Sequence, residues 1–277
     1  MGIVEALQKG LNYLEKSEYT NPFLETKLIL EYLLEKDSSY FVSHGDEELD
    51  REVEDRYFEI LRRRKLGEPL QYIIGEVNFY GHKFLVDKGV LIPRNDTEKS
   101  VEVLISLFEE NNVKNFLEIG CGTGVVSITM ALKYKFCKFT SVDISESALK
   151  NTLKNIKLHK VENINLLKSD LYSNVNGHYD IIYSNPPYIK SCDIENLQEE
   201  VRHFEPLNAL DGGTDGLDFY RNIVRDAEKY LKKRGVLVFE IGYNQADDLK
   251  KILAGYDVDV YRDLSGNDRV VVASKGV

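Results

Sequence analysis

Cysteine is scarce in this 277-residue chain: Cys121, Cys137 and Cys192 stand apart, odd in number, with no Cys-x-x-Cys beside a histidine. That spacing speaks against a disulfide framework and a zinc site and fits a reducing cytoplasm. Long apolar runs are missing too. No stretch approaches the ~20 residues of a membrane span, and the opening "MGIVEALQKGLNYLEKSEY" carries charges where a signal peptide has its apolar centre. Ala6 stands where a myristoylation signal has Ser or Thr. A soluble, unprocessed cytoplasmic protein with no membrane partner and no metal is expected. Basic residues are in the minority, 36 Lys+Arg against 46 Asp+Glu, for a formal net charge of −10 and a pI near 5.2. A broad nucleic-acid footprint needs clustered cations, so nucleic acid is an unfavoured partner. The one dense basic run, Arg62 to Lys65, reads as a solvated helix end, with a local basic patch as the other reading. His44, His82, His159, His178 and His203 are scattered and suggest no catalytic group.

What is present falls into three textures. Residues 1–75 carry helical spacing, with Ile3, Val4, Leu7, Leu11 and Leu14 at intervals of three and four. A further helix across "DEELDREVEDRYFEILRRRKLG" has acidic residues first and basic residues last, an order that complements the helix dipole. No chemistry clusters there, so this is a small helical domain for recognising substrate. Around residues 69–92 the texture turns β-branched and aromatic, broken by Gly75, Gly81 and Gly89, and reads as a hairpin; a linker at 76–92 follows. From 93 to 277, the runs "NFLEI", "CKFTSVDI", "INLLKSD", "YDIIYSN" and "GVLVFEIG" alternate with helical stretches. That alternation predicts an α/β, Rossmann-like, mostly parallel sheet. "DVDVYRDLSGNDRVVVASK" adds an antiparallel hairpin at its end.

Ligands of such sheets settle beyond the carboxyl ends of the strands. The first strand enters "EIGCGTG", where Gly120, Gly122 and Gly124 are evenly spaced and Val125 stands where a dinucleotide motif has its third glycine. No Lys followed by Ser or Thr marks a phosphate loop. Glu118 can accept from an ammonium group. Nineteen residues after Gly124, Asp143 closes the second strand, where a carboxylate can hold both ribose hydroxyls, and Asp170 closes the third, within reach of an adenine amine. An amino acid, a ribose and an adenine together describe S-adenosylmethionine. The expected cofactor residues are Glu118, Gly120, Cys121, Gly122, Gly124, Asp143, Ile144, Asp170, Leu171 and Asn185, with Arg94 added. An exposed loop cation is the other reading of Arg94.

Fifteen residues after Asp170 comes "SNPPYIK". Proline has no N–H and a fixed φ, so Pro186 and Pro187 make a stiff loop whose carbonyls are free to accept. With the Asn185 side-chain oxygen, the Pro186 carbonyl can grip one planar –NH2. An amide or nucleobase nitrogen shares its lone pair with a π-system; two acceptors orient it and stabilise the charge that develops on its hydrogens. Tyr188 can pack on the flat substrate face.

Several stretches, "GEPLQYIIGEVNFYGHKFLVDKGVLIPRNDTE", "FLEIGCGTG", "SNPPYI", "EPLNALDGGTDGLDFYRNI" and "FEIGYNQ", resemble the release factor glutamine methyltransferases, protein-(glutamine-N5) methyltransferases of the class I S-adenosylmethionine-dependent fold. The resemblance implies that the substrate is the Gly-Gly-Gln glutamine of class I peptide chain release factors. It implies that Asn185 and Pro186 hold the amide and that Tyr188 packs beside it, with Pro187 in the substrate loop. The family's "PRPET" reads here as "PRNDTE", with Asn95 and Asp96 changed, and Glu118 replaces the more frequent aspartate. The rival acceptors are an adenine or guanine amine of nucleic acid, which would also require base flipping, and a glutamine of a ribosomal protein.

Overall fold

A computed structural model describes residues 1–15 and 21–275. Residues 16–19 of the charged N-terminal stretch and the last two residues of the chain lie outside the described residues. The chain divides into two compact units, Met1–Glu76 with Leu197–Phe204, and Val77–Asn196 with Glu205–Val277.

The first unit holds α1 (Ile3–Leu14), α2 (Pro22–Leu34), α3 (Ser38–Ser43), α4 (Arg51–Lys65) and α5 (Leu70–Ile74). In α1 the buried residues Ile3, Ala6, Gly10 and Leu14 recur at three- and four-residue intervals and form one stripe. Helix α2 starts on Asn21, whose side chain accepts from the Leu24 amide, with Pro22 in the first turn. Ile29, Leu30, Tyr57 and Leu61 complete the core with the α1 stripe. The basic run departs from the solvated reading. Arg64 is 3% exposed, and its guanidinium bonds Glu25 at 2.8 Å and Glu200 at 2.7 Å. Arg63 pairs with Glu68. A cation inside a helical core needs carboxylates around it, and here one comes from a segment far along the chain.

The hairpin expected from about residue 69 begins later. Leu70–Ile74 is helical, started after Pro69 and stopped by Gly75 at φ +84°. A short apolar run does not by itself separate strand from buried helix, and the proline and glycine at its ends decide it. The hairpin proper is β1 (Glu76–Phe79) and β2 (His82–Leu85), joined through Tyr80 and Gly81, both at positive φ.

The second unit is built on α6 (Glu98–Glu110), β3 (Asn115–Ile119), α7 (Val125–Lys133), β4 (Lys138–Asp143), α8 (Glu146–His159), β5 (Ile164–Lys168) and β6 (Tyr179–Ser184). The chain makes the short helix α9 (Glu199–Phe204) in the first unit and returns through α10 (Asp218–Ala227), β7 (Leu231–Glu240), α11 (Ala246–Ile252), β8 (Asp257–Arg262) and β9 (Asp268–Ser274). The sheet order is β5-β4-β3-β6-β7-β9-β8, parallel through β7 and antiparallel at β9 and β8, as the sequence predicts. Strand neighbours alternate between two cores: Phe116, Ile181, Val238 and Val270 join α6 and α7, whereas Leu117, Ile182, Phe239 and Val271 join α10 and α11. Both faces are therefore covered, which explains why the strands read as continuous apolar runs. The order reverses between β3 and β6. Their carboxyl ends carry the glycine loop and the Asn-Pro-Pro-Tyr loop, so the two motifs meet at the switch point.

Candidate active site

The turn from β3 into α7 uses three glycines at φ +75°, +55° and +81°, and a Cβ added at Gly120 or Gly122 would meet nothing within 4 Å. Backbone there lies open to a ligand. At Gly124 the added Cβ would strike the Thr152 side chain at 2.7 Å, so this glycine serves helix packing. Asp143, at the end of β4, accepts from the Gly122 amide through Oδ2 and the Ser145 amide through Oδ1, both at 2.9 Å. Burial raises its pKa, against the lowering effect of these N–H groups. Each oxygen retains a lone pair for a hydroxyl. Asp170 is exposed after β5, and Leu171 beside it takes the left-handed φ of +47°.

A cavity of about 340 Å³ lies along these strand ends, within the range of small-molecule sites. It collects Gly120, Asp143, Ile144, Asp170 and Leu171 from the cofactor set, and Asn185, Pro186 and Pro187 from the loop after β6. Gly89 to Leu91, Ala209 and Phe219 close it from parts of the chain that sequence reasoning left unassigned. No histidine lines it among the described residues. A more open hollow of about 650 Å³ sits at the amino ends of β3 to β6, beside Phe136, Asn163 and Gly177, and holds none of the sequence-derived site residues.

Other candidates lie outside the cavity lining. The Glu118 side chain is 3% exposed and turns to α7, accepting from the Ser127 amide at 3.3 Å and, closely, from the Ser127 hydroxyl. Burial pushes its carboxyl up to about 8. Both observed bonds come from α7 and fall on Oε2. Cys121 is buried, its thiol pKa raised by burial. Gly122 and Gly124 shape the turn without lining the space. Arg94 points to Glu205, 2.6 Å away and 1% exposed, which also accepts from the Ile92 amide. The side chain, 39% exposed, is paired and not the free loop cation of the second reading. Tyr188 is held through its backbone: its carbonyl accepts from Gln245 at 3.0 Å.

Sequence reasoning missed three supporting residues. Gln245 also donates to the Gly216 carbonyl and accepts from the Gly242 amide, so one side chain ties three loops. Gly212 lies so close to the Asn-Pro-Pro-Tyr loop that an added Cβ would meet the Pro187 carbonyl oxygen at 2.7 Å. Glu240, buried at the end of β7, accepts from Thr97 and Ser100. The "FEIGYNQ" and "DGGTDG" stretches contain Glu240, Gln245 and Gly212, but their partners are distant in sequence.

Comparison with known proteins decides the family. Residues 5–75 match the PrmC N-terminal domain, and residues 82–201 match the methyltransferase small domain. A release factor glutamine methyltransferase of Fusobacterium nucleatum is 41% identical over 280 residues, covering 99% of this chain and 79% of that protein. The chain belongs to the release factor glutamine methyltransferase family. Another relative in that family, from Clostridium botulinum, is 35% identical and covers 99% of this chain and 100% of its own length. Among solved structures, a methyltransferase from Pyrococcus furiosus aligns with a TM-score of 0.54 at 20% identity, over 80% of this chain and 99% of that one. That likeness concerns the fold, a class I methyltransferase sheet. The chain is an enzyme of the methyltransferase class.

Proposed function

We propose that this protein transfers a methyl group from S-adenosylmethionine to the N5 side-chain amide nitrogen of the Gly-Gly-Gln glutamine in class I peptide chain release factors, in the cytoplasm. The observation that carries this reading is the shared cavity: Asp143 and Asp170 on one side, Asn185 and Pro186 on the other, in a chain of this family.

The cavity residues fit the cofactor. Asp143 would hold the ribose hydroxyls, Asp170 the adenine amine, and Ile144 and Leu171 the flat faces of the base, while the open backbone at Gly120 admits the amino-acid end. S-adenosylmethionine supplies a methyl group already activated by its sulfonium, so no metal or strong base is needed. The protein's work is to present the nitrogen. Asn185 Oδ1 and the Pro186 carbonyl accept the two amide N–H bonds, orient the poor nucleophile and stabilise the charge that grows on its hydrogens. Pro186 and Pro187 stiffen that grip because their φ is fixed. Protein is favoured over nucleic acid as the acceptor because the chain is acidic and two of the four cations of its one dense basic run, Arg63 and Arg64, are tied up with carboxylates.

The test is incubation with methyl-labelled S-adenosylmethionine and three acceptors: a class I release factor, a ribosomal protein and DNA. Label on the Gly-Gly-Gln glutamine, located by mass spectrometry, is the expected result. Label on polynucleotide alone would overturn the proposal.

A further inference from the structure

Thr97 and Ser100 sit one helical turn apart at the start of α6, and their hydroxyls face one carboxyl group. Thr97 Oγ1 donates to Glu240 Oε1 at 3.1 Å, and Ser100 Oγ donates to Oε2 at 3.1 Å. The Tyr183 hydroxyl reaches the same Oε2 at 3.5 Å. All of these groups are buried. Tyr183 is the last residue but one of β6, and Asn185 follows directly after the strand. The Asn185 side chain reaches the Glu240 cluster: its Nδ2 lies 3.5 Å from Thr97 Oγ1, at the outer limit of a hydrogen bond.

A proton count gives this chain a direction. A threonine hydroxyl carries one proton, and toward an ionised Glu240, which can only accept, Thr97 spends it on the carboxylate. Toward Asn185 it offers lone pairs alone, so it accepts only if the asparagine presents its –NH2. A flipped amide would set oxygen against oxygen. We infer that the Glu240–Thr97 pair is a positioning device for methyl transfer: it fixes the flip of the Asn185 amide, keeping Nδ2 on Thr97 and Oδ1 turned away, free to accept from the substrate –NH2. The inference rests on the methyl-transfer reading above and deepens it. Thr97 and Glu240 touch no substrate; they act through Asn185. The same hydroxyl contacts also anchor α6 to β7, so the test separates positioning from anchoring.

Thr97→Val keeps the shape and loses the hydroxyl, whereas Thr97→Ser keeps the hydroxyl. With release factor as acceptor, Thr97→Val lowers kcat on the order of ten- to a hundredfold, as loss of a partner one step behind a reacting group does. The KM for release factor and the affinity for S-adenosylhomocysteine, measured by calorimetry, stay within about threefold, and Thr97→Ser recovers most of kcat. Unchanged turnover in Thr97→Val, equal impairment in Thr97→Ser, or a kcat loss matched by lost cofactor affinity would each overturn the inference. If Thr97→Val does not fold, Thr97→Ala, which also lacks the hydroxyl, carries the same comparison. Should the unmodified protein leave release factor unlabelled, the methyl-acceptor reading fails and the positioning claim is decided by NMR. The Asn185 side-chain amide signals, assigned by their loss in Asn185→Ala, shift and exchange faster when Thr97 or Glu240 is replaced; signals that do not move would refute it.

Discussion

Gln245 Nε2 donates to the main-chain carbonyl of Tyr188 at 3.0 Å, and so braces the Asn-Pro-Pro-Tyr loop from the far side of the sheet edge. Its second donor bond goes to Gly216, and its oxygen takes the Gly242 amide. With 7% exposure, this amide leaves two buried backbone groups and one half-buried one unpaired when it is removed. Each unpaired group costs about 1–3 kcal/mol. Gln245→Leu is expected to lower the melting temperature by several degrees and turnover by more than tenfold. Gln245→Glu is milder in packing but loses both donor bonds. Thermal denaturation and initial-rate measurements on the same preparations check this, and normal turnover in Gln245→Leu would mean that the loop holds itself.

Gly212 sets how closely the 205–218 loop approaches the active-site loop. A Cβ there would stand 2.7 Å from the Pro187 carbonyl oxygen and 2.8 Å from the Tyr188 Cα, both backbone atoms with no side-chain freedom to yield. Gly212→Ala must push one loop off the other. Turnover is expected to fall at least tenfold, because a displacement near 1 Å at reacting groups costs about a hundredfold. The sheet core should stay folded by circular dichroism. Gly75→Ala is the control: its Cβ meets nothing within 4 Å, so only the strain of φ +84° is felt, as a small loss of stability with turnover kept.

The strands were legible because each is a short apolar run closed by Gly, Asp or Asn, and a parallel sheet buried on both faces demands such runs. The strand-end residues of the cofactor set were legible for the same topological reason: Asp143, Asp170 and Asn185 end their strands at one edge. Contacts that join distant positions were not. Arg94 and Glu205 are 111 residues apart, and Thr97 and Glu240 are 143 apart. Neither pair leaves a periodic trace in one sequence. Glu118 shows what a residue's type alone leaves out: an acid at the head of a glycine motif suggests a ligand contact, and its Oε2 is also taken by the amide and hydroxyl of Ser127 in the following helix. Segment 197–204 joins the helical unit through Glu200, although its place in the chain suggested the sheet domain.

Stability should fall as pH rises through neutrality. Burial pushes Glu240 up to about 7 and Glu118 up to about 8, from 4.5 in an exposed chain. The folded protein then binds these protons more tightly than the unfolded chain does. Their contribution to stability is full below about pH 4.5 and is lost as the pH passes through each folded-state pKa. Glu118→Gln, which is neutral at every pH, removes one of the two. Denaturant unfolding between about pH 5 and about pH 8 should show the wild type losing stability relative to Glu118→Gln. A gap independent of pH would mean that Glu118 is ionised throughout, its charge stabilised by Ser127.

The Arg64 guanidinium bonds Glu25, Glu200 and the Glu68 carbonyl while only 3% exposed, and the two carboxylates it faces are themselves 14% and 19% exposed. Arg64→Met keeps the apolar stem of the side chain and strands both charges. Breaking a buried pair in this way costs about 3–5 kcal/mol, more than the helix propensity of methionine can return. The loss should be local. Hydrogen exchange is expected to speed up across α1, α2, α4 and segment 197–204, while amides of β3, β4 and β6 keep their protection. The triple replacement Arg64→Met with Glu25→Gln and Glu200→Gln should recover most of the loss, because it removes the stranded charges along with the cation. If the triple variant is no more stable than Arg64→Met, the cost lies in packing around the arginine stem, and the carboxylates are well enough hydrated to stand alone.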